Sequence, residues 1–316
     1  MTRRLALLLT LTPLALEAQT PDIAKLTFAW PEKMMARVEA QKYRERNTGT
    51  RSDTSNVEIS YRMTAQRTGN EYIIAFDDFQ TPEGAPLSAR QELASLTDRL
   101  GALIPAYRVT AAGEFARLES TATLRAFIDS LVKTAVGSAS VTPEARQMLQ
   151  ALGSDAVLAS TVAQEWNALV GTWAGAELEV GEAYGSEGEE PIPILQGATI
   201  KFRYEFGVVR RLSCDSIAAP NARDCVELQM VSKPDSAALR QFLDRFVGRL
   251  MPDVAKELNF AQFDIENVIS LVARPETLVP MSLVISKEVT AKMKADGATE
   301  EMYQFDVKAW RYSYKR

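Results

Sequence analysis

Alternation of apolar and polar residues with a period of two runs through long stretches of this 316-residue chain, and it restricts the fold to one built on half-buried β-strands. Between positions 57 and 65 every second residue is apolar, and a Thr-Gly-Asn turn at 68–70 predicts a hairpin with the apolar run that follows. Ala112-Gly113 predicts a second hairpin. Further alternating runs occupy residues 200–206, 226–230, 281–285 and 303–309. We therefore predict one or two curved antiparallel sheets.

The ends of the chain add less regular strand signals. In the last strand the apolar residues change parity between Ala309 and Trp310, which predicts a β-bulge, a bend or burial on both faces at that point. Near the N-terminus, residues 26–30 and 35–38 are candidates for short strands.

Helical periodicity appears between the strands. Apolar stripes run through residues 93–103, 124–136, 158–169 and 239–250, and Thr142-Pro143-Glu144 is a good helix start. Helices of this kind would cover one face of the sheet. The fold class predicted is therefore α+β, with curved antiparallel sheet covered by amphipathic helices.

Two of the predicted helices resemble each other. Residues 124–132 and 239–247 share five of nine positions, and each segment follows a predicted strand pair. Either the chain contains two similar halves produced by duplication, or two amphipathic helices resemble each other by chance. The domain boundaries predicted are a signal peptide at 1–18, an N-terminal half at 19–175, a linker at 176–197 and a C-terminal half at 198–316.

The predicted linker contains a stretch rich in glycine and glutamate, residues 181–197. We expect a mobile, solvated loop there. A calcium loop would need aspartate and asparagine at alternate positions, and this stretch contains glutamates only.

The first residues have the organisation of a secretory signal peptide. Arg3 and Arg4 precede an apolar run at 5–16, and the small residue Ala18 places the cleavage before Gln19. The alternative is a buried N-terminal strand or helix. The run is too short to cross a bilayer, which takes about 20 apolar residues, and no later segment reaches that length. We expect a mature protein that is soluble and either periplasmic or secreted.

The two cysteines support export. Cys214 and Cys225 flank a turn-forming stretch, so in an oxidising compartment they are expected to form a disulfide that closes a hairpin. A redox pair would normally have Cys-x-x-Cys spacing, and two sulfurs without histidine make a poor zinc site.

Composition excludes several functions. The net charge of −5 argues against a general nucleic-acid binder, which needs a basic surface. The chain has no histidine, so it lacks the commonest general base and the commonest metal ligand. No phosphate-binding or dinucleotide-binding glycine motif is present, and no cofactor is expected.

Two types of histidine-free catalysis stay open as alternatives. Ser130 and Lys133 have the Ser-x-x-Lys spacing of penicillin-recognising enzymes, but the companion Lys-Thr-Gly motif is missing. Adjacent acids of the kind a glycosidase could use occur as Asp77-Asp78, Glu189-Glu190 and Glu300-Glu301. Neighbouring residues on a strand or loop diverge, whereas a catalytic pair must converge.

Aromatic residues admit two interpretations. The tail at 308–316 mixes aromatic and basic residues, as a carbohydrate or anionic-surface platform would, but a closing strand explains the same pattern. Trp30, Trp166 and Trp173 are expected in the core or along a cavity.

Together these features favour an exported, non-enzymatic protein of the cell envelope that binds an apolar ligand such as a lipid or lipoprotein, or an envelope partner. In this broad organisation the chain is similar to periplasmic carriers of lipids or lipoproteins. A structural scaffold and a histidine-free hydrolase are the alternatives.

Overall fold

The computed structural model describes residues 20–49, 51–80, 105–119, 121–122, 124–126, 154–191, 199–215, 221–250, 259–295 and 298–314. The predicted signal peptide with its Ala18–Gln19 cleavage site, the helices predicted at 93–103 and 142–144, and the Ser130–Lys133 pair all lie outside these residues. Of the stripe predicted at 124–136, residues 124–126 are described and are helical.

Thirteen strands make up most of the described structure. In chain order they are β1 (Ile23–Lys25), β2 (Lys33–Thr48), β3 (Arg51–Thr68), β4 (Glu71–Gln80), β5 (Tyr107–Thr110), β6 (Phe115–Leu118), β7 (Glu177–Glu179), β8 (Ala183–Pro191), β9 (Thr199–Leu212), β10 (Cys225–Pro234), β11 (Asn259–Ala273), β12 (Pro280–Ala295) and β13 (Ala298–Tyr314).

Eleven of these strands form one antiparallel sheet. Its order is β6-β5-β4-β3-β2-β13-β12-β11-β10-β9-β8, and β1 and β7 form a separate two-stranded ribbon. The pairing of β13 with β2 joins the N-terminal and C-terminal strands into one continuous sheet. The prediction of an antiparallel sheet is confirmed. The domain boundaries and the duplication of two halves stay predictions.

In the described part of the chain, two α-helices of more than ten residues accompany the sheet. Helix α1 (Asp155–Trp166) begins at the N-cap Ser154, whose side chain accepts a hydrogen bond from the Val157 N–H, and it continues into a π-helical turn (Asn167–Gly171). Helix α2 (Ser236–Leu250) follows β10 directly. Both confirm apolar stripes seen in the sequence.

The prediction of a helical layer over the sheet is wrong for the described residues. Strand accounts for 64% of them and helix for 15%, so this part of the chain is mostly β rather than α+β. The strands are also longer than predicted. Strands β2, β3 and β13 extend over 16 to 18 residues each, well beyond the apolar alternation that indicates them in the sequence.

The predicted turns occur where the sequence places them. Strands β3 and β4 are joined at Gly69, which has φ +65°, a conformation that glycine adopts without strain. Strands β5 and β6 form the second hairpin around Gly113. Of the N-terminal candidates, residues 35–38 lie within β2, whereas residues 26–30 form no strand.

One other local prediction is corrected, and a second is narrowed to one of its alternatives. The predicted mobile loop contains strand β8, which pairs with β9 along its whole length. Its sequence shows no apolar alternation because its side chains are largely exposed, and the free edge of β9 determines its pairing. The predicted bulge near Trp310 is absent from the pairings of β13 with β12 and β2, which continue without a register shift. Instead residues 302–310 are partly buried on both faces, the third option predicted.

An aromatic cluster fills one end of the sheet. The ring of Phe28 contacts the rings of Trp30, Tyr72 and Trp166, and Trp30 also contacts Trp166 of α1, at ring-centroid distances of 5.4–5.9 Å. The Trp166 Nε1–H donates to the Gly113 carbonyl at 2.7 Å, and the Tyr72 hydroxyl donates to the Trp30 carbonyl at 2.6 Å. Trp30, Trp166 and Trp173 are all buried, as predicted for the core.

Candidate functional site

A cleft of about 670 Å³ lies between one face of the sheet and the segment formed by helix α1 and the turn that follows it. Its helical side is formed by residues between Thr161 and Thr172. Its sheet side is formed by side chains from seven adjacent strands, β2, β13, β12, β11, β10, β9 and β8. Across a flat sheet, strands this far apart would be separated by about 29 Å. Because they line one cleft, we infer that the sheet curves around it.

The floor of the cleft is a row of apolar side chains, one from each of four neighbouring strands. Phe206 pairs with Met230, Met230 with Ile269, and Ile269 with Ile285. We call these four residues the apolar row. All four are partly buried and line the cleft. They offer a continuous apolar strip that runs across the strands.

The sheet is fully packed two residues away from the apolar row along the strands. There Leu283, Leu271, Leu228 and Val208 form a parallel row, and each is at most 3% exposed. The cleft therefore has a rigid base, and the apolar row is the boundary between the core and the open space.

The opposite side of the apolar row carries polar residues only. This polar row contains Arg44, Asp306, Lys287, Asn267, Ser232, Tyr204 and Ser186, each paired with the next across adjacent strands. All seven line the cleft. The cleft is thus amphipathic, with one apolar and one polar wall on the same sheet face.

Two ion pairs lie on the side of the cleft formed by β2 and β13. The Arg44 Nε is 2.5 Å from the Asp306 Oδ1, and the Lys308 Nζ is 2.7 Å from the Glu165 Oε1 on α1. Partial burial alone would raise the pKa of the Asp306 carboxyl. Hydrogen bonds from Arg44 and Gln304, with the positive charges of Arg44 and Lys42, nevertheless hold that pKa below its usual range.

Lys42 and Lys287 differ from their neighbours. Both line the cleft and are exposed, and within the described residues neither has an ion-pair partner at contact distance. Lys42 lies directly opposite Lys308 across the β2–β13 pairing, and Lys287 lies opposite Asp306 across the β12–β13 pairing. This side of the cleft therefore carries four cations against two acids, Asp306 and Glu165.

The far side of the cleft, on β8 and β9, carries a single acid. The Tyr204 hydroxyl donates to the Glu190 Oε1 at 2.6 Å. Burial raises the pKa of Tyr204 above its ordinary value, and the hydrogen bond to Glu190 and its negative charge raise it further, so the hydroxyl stays protonated. Charge is thus segregated along the cleft, positive at β2, β13 and β12 and negative at β8.

Where the structure shows contacts for the adjacent acids proposed from the sequence, each acid has a partner of its own. Asp77 pairs with Arg62 and Asp78 with Arg37. Glu189 accepts a hydrogen bond from the Thr199 hydroxyl, whereas Glu190 accepts from Tyr204. Glu301 forms an ion pair with Lys292. Among the described residues no group of three acids or cysteines is placed to bind a metal ion.

The predicted disulfide is confirmed. Cys214 and Cys225 are bonded, with a Cα–Cα distance of 5.1 Å, at the end of the β9–β10 hairpin. The Cys214 N–H also donates to the Asp224 side chain at 3.0 Å. The described part of the chain has no helix that is both long and apolar enough to cross a membrane.

Most of the cleft could not be recognised in the sequence. The tail has the pattern of a closing strand and forms β13, but its Lys308 also lines the cleft. Lys42 and Arg44 continue the parity of the buried Val38 and the partly buried Ala40, so cations at alternate positions after an apolar run were the available signal. Lys287 follows Ile285 in the same way.

Comparison with known proteins does not assign this chain to a family. No protein-family model matches it, and no curated protein matches it. Among solved structures it is similar to one described as lipid-protein interactions in lipovitellin, at 9% identity and a TM-score of 0.39, covering 90% of this chain and 25% of the other. It also matches OmpTdeltaL8, a loop L8 deletion mutant of OmpT, an outer membrane protein of Vibrio cholerae, at 7% identity and a TM-score of 0.20, covering 90% of this chain and all of the other. The chain thus spans about a quarter of the lipovitellin chain, and both TM-scores are too low to support an argument about fold or function.

Proposed function

We propose that this chain is an exported binding protein that holds the apolar part of an amphipathic lipid in the cleft between α1 and the sheet. The observation that carries the proposal is the apolar row of Phe206, Met230, Ile269 and Ile285, exposed to an open space of about 670 Å³ above a closed core. When a ligand covers an apolar strip that is otherwise accessible to solvent, the free energy of the system falls.

The dimensions of the cleft agree with this proposal. Binding sites for small molecules are concave and have volumes of about 300–1,000 Å³. They combine apolar walls with a few polar groups that fix the orientation of the ligand. The cleft has this composition, since the polar row runs parallel to the apolar row two residues away. An amphipathic molecule would meet both walls at once.

Export is supported by the disulfide and by the predicted signal peptide. Disulfides persist in oxidising compartments and are rare in the cytosol. The Cys214–Cys225 bond is therefore what a periplasmic or secreted protein is expected to contain.

A tryptophan substitution in the floor of the cleft tests the binding proposal. Ile285→Trp fills part of the space above the apolar row and should weaken binding of monoolein, a neutral amphiphile, by about tenfold or more, since about 1.4 kcal/mol of lost contact has that effect. Val284→Trp is the matched control, because Val284 is the next residue, is 37% exposed and does not line the cleft.

The result that supports the proposal is loss of monoolein binding in Ile285→Trp alone, with the thermal unfolding of both variants close to that of the unmodified protein. Equal binding by all three proteins, or no binding by any of them, would contradict it. Lipid extracted from the purified protein and identified by mass spectrometry would give the natural ligand. Recovery of a stoichiometric protein partner without lipid would instead favour the scaffold alternative.

A further inference from the structure

We propose that the ligand of the cleft is an anionic amphiphile whose carboxylate or phosphate headgroup is bound by Lys42 and Lys287. This inference rests on the proposed function, and it adds the chemical class and the orientation of the ligand. The headgroup lies on β2, β13 and β12, and the apolar chain runs from there along the apolar row toward β9.

Two cations face each other at one end of the cleft. Lys42 and Lys308 are direct cross-strand neighbours, and like charges in this position destabilise a sheet. The ion pair of Lys308 with Glu165 relieves only one of the two charges. Lys42 is left facing the cleft without an acid at contact distance among the described residues.

The other charged groups that face this end of the cleft are paired with one another. Arg44 is held by Asp306, and Lys308 is held by Glu165, so both acids at this end are already occupied. Glu190, the remaining acid that lines the cleft, lies on β8 at its far end. Lys42 and Lys287 are therefore the two cations available to a ligand.

The distance between Lys42 and Lys287 allows both to bind one headgroup. Lys42 and Lys287 are separated by two strand spacings and by two residues along the strands. Standard strand geometry places their Cα atoms about 12 Å apart. Each lysine carries a flexible four-carbon stem, so both ammonium groups can contact one headgroup placed between them.

The cationic end of the cleft is continuous with the apolar row. Lys308 pairs with Ile285, which is the first residue of that row, so the cationic end and the apolar strip belong to one line of side chains across the sheet. A free anion would use the lysines and leave the apolar row uncovered. An anionic amphiphile covers both, which is why it fits better than either a free anion or a neutral lipid.

The test compares oleate, monoolein and inorganic phosphate, the first two with the same acyl chain and each below its critical micelle concentration. Binding is measured by isothermal titration calorimetry on the purified protein at pH 8 and low ionic strength. The unmodified protein should bind oleate about tenfold more tightly than monoolein, the effect of one charge-assisted hydrogen bond. This preference should shrink as salt is added.

The double variant Lys42→Gln/Lys287→Gln should lose the preference for oleate and keep its affinity for monoolein within about twofold, because the variant leaves the apolar row unchanged. The control Lys33→Gln/Lys201→Gln removes two exposed lysines that do not line the cleft, and it should keep the preference. The control changes the net charge by the same amount, so it separates a local contact from a long-range field.

Three outcomes would overturn the inference. Equal affinity of the unmodified protein for oleate and monoolein would show that the headgroup is not recognised, while leaving the proposed function intact. An oleate preference retained by Lys42→Gln/Lys287→Gln would place the headgroup elsewhere. Displacement of oleate by millimolar phosphate alone would indicate a site for free anions. Failure of both amphiphiles to bind would instead contradict the proposed function itself.

Discussion

Lys308 of β13 and Glu165 of helix α1 form an ion pair, with the Lys308 Nζ 2.7 Å from the Glu165 Oε1, and it connects the helix to the sheet at the cationic end of the cleft. The two residues are 143 positions apart in the chain. The pair neutralises one of two lysines that face each other across β2 and β13, and Lys42 has no acid at contact distance among the described residues.

The stability contributed by this pair should be small. The side chains of Lys308 and Glu165 are 42% and 49% exposed, and exposed pairs contribute about 0–1 kcal/mol. A double-mutant cycle with Lys308→Ala and Glu165→Ala, followed by urea unfolding, should give a coupling free energy below about 1 kcal/mol. The more exposed pair of Lys25 and Glu177 is the control and should give less. A coupling above about 2 kcal/mol would indicate a buried pair and contradict an open cleft.

Acid should weaken the fold partly through Asp306. Hydrogen bonds from Arg44 and Gln304 and nearby positive charges hold its pKa below the usual range, despite partial burial. Its ionised form therefore stabilises the folded state above the unfolded-state pKa of about 3.9, and this contribution is lost as the pH falls through the lower folded-state value. Urea unfolding from pH 7 to pH 2 should show a shallower loss of stability for Asp306→Asn than for the unmodified protein. Glu300→Gln, also on β13, is the charge control. Identical acid profiles for Asp306→Asn and the unmodified protein would contradict the ion pair with Arg44.

Trp166 should be one of the most sensitive positions in the chain. It is 1% exposed, contacts Phe28, Trp30 and Tyr107, and donates a hydrogen bond to Gly113. Trp166→Ala should reduce the free energy of unfolding by about 3–5 kcal/mol, as expected when a buried aromatic residue is truncated. Tyr184→Ala, at a 37% exposed position, should cost much less. Similar losses at the two positions would mean that the aromatic cluster is not the core.

Reduction of the Cys214–Cys225 bond should also lower stability. The bond closes a loop with a sequence separation of 11, and cross-linking such a loop stabilises the folded state by about 3 kcal/mol in the chain-entropy model. Urea unfolding with and without dithiothreitol measures the difference. The variant Cys214→Ser/Cys225→Ser should match the reduced protein and should not respond to dithiothreitol. A response in that variant would show that the reductant acts elsewhere.

The sequence predicted the parts of this fold that depend on local chemistry. The β3–β4 hairpin follows from alternation up to residue 65 and from a glycine in the left-handed conformation at position 69. The disulfide follows from two cysteines on either side of a turn. Helix α1 follows from its apolar stripe. The π-helical turn that continues the helix could not be distinguished from it in the sequence, because the apolar residues keep the same spacing.

Features that depend on pairing between distant strands could not be predicted. Strand β8 consists largely of exposed glycine, serine and glutamate, so only the edge of β9 makes it a strand. The cleft depends on register, because Lys42, Lys308 and Lys287 become neighbours only when β2, β13 and β12 pair as they do. Each of these lysines, taken alone, has the pattern of an ordinary solvated residue on a strand.

Photolabelling with a fatty acid that carries a diazirine near the end of its acyl chain tests the central claim most directly. After irradiation of the purified protein, digestion and mass spectrometry, the account predicts label on Met230, Ile269 or Phe206, the part of the apolar row farthest from the lysines, and competition by unlabelled oleate. Label spread over exposed apolar side chains outside the cleft, such as Val284 and Val209, without competition, would contradict a lipid bound in the cleft.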